Sequence, residues 1–367
     1  VRTRAAAAEA GAAPLGAPLE VPLRTMRLPD RFIGRGYFLI ELVVRDAVAL
    51  TLLLDTGLTA PVMLTTAACA KLGISEATSS PGSRGIGAVG SVDLRPVHLE
   101  GAELRTPAGT LALGPMTGVI VEDFPQRKIG EEVGIALDGM LGQGFLQLCD
   151  LELDGPRALL RVWPPRQLAA EAAAERWRLL PSLRLPGDLQ GLLLSVPGGM
   201  EPVVGIVDSG ASHTVLNRNA AYVMGLEFSS AQSGHDGRTV RGIGLDSSAL
   251  EMPLVSVEGA SLCGAGHVTI VPHAAGAADG LRSWSFRNVS CVECERVGPL
   301  GPLEVAVGDI GFFEDLLSQP QDSIGNFRGP AALLGQDLLA QLPLRISSAS
   351  ERLWLRPPAA APSRGGA

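Results

Sequence analysis

Two tripeptides carry the groups in this sequence best placed to do acid–base chemistry: Asp55-Thr56-Gly57 and Asp208-Ser209-Gly210. Each follows an apolar run, Val48 to Leu54 and Val203 to Val207, so each puts a carboxyl group at the end of an expected β-strand. A carboxyl group in that position can donate or accept a proton in a reaction. It can equally cap its own turn, with the glycine supplying a positive φ. The other reactive side chains form weaker patterns. The five His, at 98, 213, 235, 267 and 273, lack metal-ligand spacing; His213, five residues after Asp208, reads either as a residue lining the site or as a structural histidine. The five Cys, at 69, 149, 263, 291 and 294, make neither an even set nor a regular framework, which fits a reducing compartment better than a disulfide-stapled module. Cys291 and Cys294 form a CxxC, but two further ligands at zinc-site spacing are missing, so the pair reads as two thiols in a loop and no metal is expected.

The elements around the triplets occur twice. Tyr37 to Val44 is extended, Arg45-Asp46-Ala47 can turn, and Val48 to Leu54 leads into Asp55; Leu192 to Val196 is extended, Pro197-Gly198-Gly199 is a strong turn, and Val203 to Val207 leads into Asp208. Both read as a hairpin ending at the aspartate. Pro61-Val62-Met63-Leu64 then matches Thr214-Val215-Leu216-Asn217, and short helices follow at Thr66 to Leu72 and Asn219 to Met224, stopped by Gly73 and Gly225. The tetrapeptide Arg-Gly-Ile-Gly comes next in both halves, at 84–87 and 241–244, placed 84 − 55 = 29 and 241 − 208 = 33 residues after the aspartate.

A third matched element closes each copy: Leu141-Gly142-Gln143 and Leu334-Gly335-Gln336 each precede a short apolar helix and a final strand, Ala158 to Trp163 and Arg352 to Leu355. Between tetrapeptide and closing element the second copy is longer, and the excess around 274–326 reads as a surface insertion carrying the CxxC. Residues 164–181 read as a linker, with a helix over Leu168 to Leu180 where Ala, Glu and Arg are dense. The expected organisation is therefore a segment 1–26 outside the folded units, lobe one over 27–163, the linker, lobe two over 182–356 and a disordered tail 357–367. Val1 to Leu19 is rich in Ala and Arg with Glu9 its only acid. That composition suits part of an organelle transit peptide, such as a chloroplast one, and equally a low-complexity tail.

On these two triplets, tetrapeptides and closing elements the sequence resembles the retropepsin-like aspartic proteases, with two such units joined in one chain as in pepsin-like enzymes. The resemblance implies an all-β, bilobal fold with short helices, two β-barrel lobes related by a pseudo-twofold axis, and a cleft between them. It implies Asp55 and Asp208 as the catalytic pair, Thr56 and Ser209 as residues whose hydroxyls cross-brace the two loops, and Gly57 and Gly210 as the positions of tight backbone. It also implies flaps bearing Gly85, Ile86, Gly87 and Gly242, Ile243, Gly244, and a cleft touched by Leu58 and Ser212. Leu58 departs from the small residue usual in that place, whereas Ala211-Ser212 follows the family, and neither flap region contains a tyrosine.

If the two carboxyl groups lie about 3 Å apart at an effective dielectric of about 20, their repulsion is roughly 5 kcal/mol, so the pair holds one proton between them. Such a pair activates water against a peptide carbonyl with no metal or organic cofactor, and Ile86, Ile243 and Leu58 suggest an apolar cleft for extended polypeptides. The rival expectation is a non-catalytic peptide-binding or scaffold protein of the same fold. With both motifs in one chain, a monomer is expected to suffice. In 367 residues, 30 Lys and Arg stand against 38 Asp and Glu, with no basic, aromatic cluster for nucleic acid. No apolar run reaches the roughly 18 residues of a membrane helix, so a soluble protein without a membrane partner is expected.

Overall fold

The computed structural model describes residues 17–357 except 30, 31, 33, 35, 46, 75–82, 87–90, 165–167, 169–176, 228–237, 244–248, 274–282, 312, 314–325 and 348–351. The architecture is all-β with short helices, arranged as two lobes of matching strand order. The sheet of lobe one runs in the order Ser83–Ile86, Ser91–Leu99, Met116–Val121, Val62–Thr65, Gly139–Gly142, Val48–Asp55, Tyr37–Val44, Ala102–Thr106, Gly109–Ala112. Lobe two repeats it strand for strand: Thr239–Ile243, Ala249–Val257, Leu303–Val307, Val215–Leu216, Ala331–Leu334, Val203–Val207, Gln190–Ser195, Ser261–His273, Ser283–Val297. The sense of pairing repeats too. Val48–Asp55 is parallel to Gly139–Gly142, and Val203–Val207 is parallel to Ala331–Leu334.

The aspartate-bearing strands are apolar almost throughout because both of their faces are covered. Leu50, Leu52 and Leu54 enter the large core that both lobes share, while Leu53 points to a separate cluster with Met26, Leu39 and Phe124. In lobe two Val203 and Val207 take the shared side, and Val204 and Ile206 pack with Leu193, Trp284 and Phe327. The short helices Thr66–Lys71 and Arg218–Val223 start on matched caps: the Ala68 amide donates to Thr65 Oγ1 at 3.0 Å, and that of Ala220 donates to Asn217 Oδ1 at 2.8 Å.

A third sheet joins the lobes in the order Leu19–Pro22, Leu159–Trp163, Asp150–Asp154, Pro343–Ser347, Arg352–Leu355, Arg178–Pro181. Its central pair sets Glu152 against Arg345, where the fully buried Glu152 accepts from Arg345 Nε at 2.8 Å and also from Arg161. Arg345 lies 4.1 Å from the ring centre of Trp177, so its delocalised charge is sandwiched as well as paired.

Three segment expectations are corrected by these strands. The expected unit-free segment 1–26 ends in two strands, Leu19–Pro22 and Arg24–Met26, paired with Leu159–Trp163 and Tyr37–Val44; residues 1–16 lie outside the described part. The expected helical linker ends in the strand Arg178–Pro181, the lobe-two counterpart of Leu19–Pro22, because pairing with Arg352–Leu355 outweighs local helix propensity. Finally, the described part of 274–326 supplies strands of the lobe-two sheet and part of its core: Ser283–Val297 pairs with Ser261–His273 and buries Trp284 and Phe286, and Leu303–Val307 is parallel to Val215–Leu216. The CxxC thus falls in a strand rather than a loop. The expected tail beyond 357 lies outside the described residues, and no helix among the described residues is long and apolar enough to cross a membrane.

Candidate active site

The two aspartates leave the ends of their strands at the same point in each lobe. Asp55 is opposite Gly142 in the parallel pairing, and the Asp208 amide donates to the Leu334 carbonyl at 3.1 Å. From there the loops lock into one another. The Thr56 amide donates to Ser209 Oγ at 3.0 Å and the Ser209 amide to Thr56 Oγ1 at 2.9 Å. In turn Thr56 Oγ1 donates to the Val207 carbonyl at 2.9 Å and Ser209 Oγ to the Leu54 carbonyl at 2.8 Å. Each hydroxyl therefore accepts from one lobe and donates to the same lobe's strand, so all four bonds cross between lobes in a buried setting where an unmade bond is costly.

This brace carries each carboxyl group onto the other loop's glycine. A Cβ at Gly57 would lie 2.4 Å from Asp208 Cγ, and one at Gly210 would lie 2.2 Å from Asp55 Cγ. Only a residue without a side chain leaves that space. One oxygen of each acid is held by its own loop: the Gly57 and Leu58 amides donate to Asp55 Oδ1 at 2.9 and 3.0 Å, and the Gly210 amide donates to Asp208 Oδ1 at 2.8 Å. The two carboxyl groups also hydrogen-bond one another. Burial pushes Asp208 well above the usual carboxylate range, and the charge of Asp55 pushes it the same way. Asp55 is also raised by burial; its bond with Asp208 and the Gly57 and Leu58 amides pull it back, as the Gly210 and Ala211 amides do for Asp208. Both carboxyl groups are therefore raised, and the pair holds one proton between them.

The remaining expected site residues divide in two. Leu58 and Ser212 are half-buried beside the pair. The tetrapeptides lie on antiparallel hairpins, with Gly85 opposite Val92 and Ile86 opposite Ser91 in lobe one, and Gly242 opposite Leu250 and Ile243 opposite Ala249 in lobe two. Gly87 and Gly244 lie outside the described residues. His213 does not line the cleft: it is buried with Nδ1 3.7 Å from Asp337 Oδ2, and burial lowers its pKa. Cys291, expected with Cys294 in a loop, instead has its thiol in contact with that of Cys263 on the neighbouring strand.

Sequence reasoning passed over three supports of the site. Gln336 donates from Nε2 to the Ser209 carbonyl at 2.9 Å, while its partner by repeat, Gln143, reaches across to the Asp188 carbonyl at 3.2 Å. Their shared Leu-Gly-Gln setting was the available signal. Thr214 donates to Asp337 Oδ1 at 2.7 Å, behind the second loop. The third is Tyr37, buried at the start of its strand and hydrogen-bonded to Ser212 and Gln126; burial and then the nearby aspartates push its hydroxyl up to about 12. It is one of only two tyrosines in the chain.

No family model matches the chain, and no curated protein matches it in sequence. Among solved structures, it is similar to a retropepsin-like aspartic protease from Rickettsia conorii, at 18% identity and a TM-score of 0.27 over 40% of this chain and 98% of that one. It is also similar to basic 7S globulin from soybean (9% identity, TM-score 0.42) and to conglutin gamma, a basic 7S globulin from lupine seeds (11%, 0.43), each over 94% of this chain and 95% of the other.

Proposed function

We propose that the chain is an aspartic endopeptidase that hydrolyses peptide bonds in extended polypeptides with Asp55 and Asp208 as its catalytic pair. The observation that carries this reading is the mutual hydrogen bond of two carboxyl groups on cross-braced loops, each seated against the other loop's glycine. A structural capping aspartate needs neither the partner carboxyl nor the desolvation. In the reaction, ionised Asp55 takes a proton from water as the water oxygen bonds to the scissile carbonyl carbon, and Asp208 gives its proton to the carbonyl oxygen. The product is a neutral gem-diol. Asp208 then takes back a proton from one hydroxyl, Asp55 gives its proton to the nitrogen, and the C–N bond breaks, which restores the starting state of the pair.

Thr56 and Ser209 hold the loops at the separation this exchange requires, and Gly57 and Gly210 leave room for it. The hairpins of Gly85, Ile86 and Gly87 and of Gly242, Ile243 and Gly244, with Leu58 and Ser212, would form the substrate-facing surface and favour apolar residues around the cut. A peptide-library digest across pH, with Asp55→Asn as control, tests the reading. Discrete cleavage by the unaltered protein and none by the variant supports it. Binding of peptides without cleavage would replace it with the scaffold alternative.

A further inference from the structure

We propose that Tyr37 is a positioning residue for the aspartate pair: its hydroxyl reaches from lobe one to Ser212 and fixes the loop that carries Asp208. This rests on the peptidase reading for its kinetic consequence but not for its geometry. Two independent contacts from one short segment of lobe one converge on Ser212. Tyr37 hydrogen-bonds the Ser212 side chain. Three residues earlier, Gly34 adopts φ +120°, and a Cβ there would lie 2.4 Å from the Ser212 carbonyl oxygen, so the two backbones touch.

One backbone bond holds the loop beyond Asp208 as it holds its counterpart. The Ala211 carbonyl accepts from the Gln336 amide at 2.8 Å, and the Leu58 carbonyl accepts from the Gln143 amide at 2.6 Å. The Tyr37 contact has no mirror image. Leu39 is opposite Leu53 and Gly191 is opposite Ile206, which aligns Tyr37 with Leu189, a fully buried aliphatic residue. Around Tyr37 pack the apolar side chains of Met26, Leu39, Leu53 and Phe124, and the titratable groups acting on it are Asp208 and Asp55. Tyr37 is thus a polar group on one side of the pair only, and it acts from the lobe opposite the one whose loop it holds.

Tyr37→Phe keeps the ring in its apolar cluster and removes only the hydroxyl. It is expected to lower kcat about tenfold, the equivalent of one lost hydrogen bond in the transition state, with KM changed less than twofold. Replacing a polar hydroxyl by a ring edge also desolvates the pair further, so its upper apparent pKa rises and the basic limb of the pH–rate profile moves to higher pH. Ser212→Ala should reproduce both effects, and the double variant should be no worse than either. Carboxyl titration followed by 13C NMR on Asp-labelled intact protein reads the same shift without any substrate. If the protein cleaves no peptide but the titration still moves upward in Tyr37→Phe, the latch stands and the peptidase reading falls. An upper limb that stays put or moves down in both single variants, at unchanged kcat, would overturn the latch.

Discussion

The two lobes share a strand order and a loop brace, but they do not share an environment for their aspartates. Asp55 is half-buried, and its triplet is followed by Leu58. Asp208 is buried and followed by Ala211, and its loop is touched from behind by His213, Thr214 and Asp337 and from across the cleft by Tyr37. Where lobe one ends its closing motif with Gly144, packed against Pro61, lobe two places Asp337 and bonds it to Thr214. The largest difference lies farther out. The hairpin Ala102–Thr106 and Gly109–Ala112 becomes in lobe two the long pair Ser261–His273 and Ser283–Val297, with Trp284, Phe286 and Phe327 in edge contact beneath it. The elements that repeat are those that bring two carboxyl groups together, and those that differ make the two groups chemically unequal.

The largest expected effect removes either half of the pair. Asp55→Asn and Asp208→Asn should each lower kcat/KM by about 10²–10⁴-fold or more with circular dichroism unchanged, because one carboxyl group cannot serve as acid and base together. A variant retaining a third of the activity would show that one lobe works alone. Next come the seats of the carboxyl groups. Gly57→Ala and Gly210→Ala each push a methyl into the opposite acid and should cost about 10²-fold in kcat/KM, comparably in the two lobes. A large effect in one and none in the other would break the equivalence of the loops.

Stability offers two finer comparisons. Glu152→Ala leaves Arg345 buried at the seam between the lobes and should cost about 3–5 kcal/mol in urea unfolding, with part recovered when Arg345 is also replaced by Met. The smallest effect concerns Asp208 itself. Its folded pKa lies above its unfolded one, so its contribution to stability is fully present below the unfolded pKa and is lost as pH rises through the folded value. Asp208→Asn escapes that loss. The variant should therefore melt higher than the unaltered protein at pH 7, and the gap should shrink toward pH 4. Equal melting temperatures at both pH values would mean that Asp208 is not destabilised by its burial.

Short-range pattern made the hairpins, the triplets and the closing Leu-Gly-Gln readable in both halves, because each is specified by neighbours within a few residues. In the joining sheet the final strand of each copy, Ala158 to Trp163 and Arg352 to Leu355, was readable too, but the outer strands were not. Leu19–Pro22 pairs with Leu159–Trp163, and Arg178–Pro181 pairs with Arg352–Leu355, so their partners lie far along the chain and their own composition suggests a tail and a helix. The buried Glu152–Arg345 pair is invisible for the same reason. In lobe two the extended hairpin looked like an insertion because it lengthens the second copy between tetrapeptide and closing element, and its strands pair across register shifts between Cys263 and Thr269. Of the site, the residues in the motifs could be named from sequence. Tyr37 could not, since nothing local links it to a serine in the other lobe.

The account turns on one proton held between Asp55 and Asp208, and the pH dependence of kcat/KM on a single peptide from about pH 3 to 9 tests it directly, since that range brackets the ordinary Asp pKa and a raised one. Because burial raises both groups, and Asp208 further by the charge of Asp55, the profile should be a bell with an acidic optimum. Its two limbs should report apparent pKa values that belong to the pair. Loss of activity below the optimum reflects a second proton on the pair, and loss above it reflects departure of the shared one. A rate still rising through pH 8 would contradict the shared proton and assign the chemistry to another group.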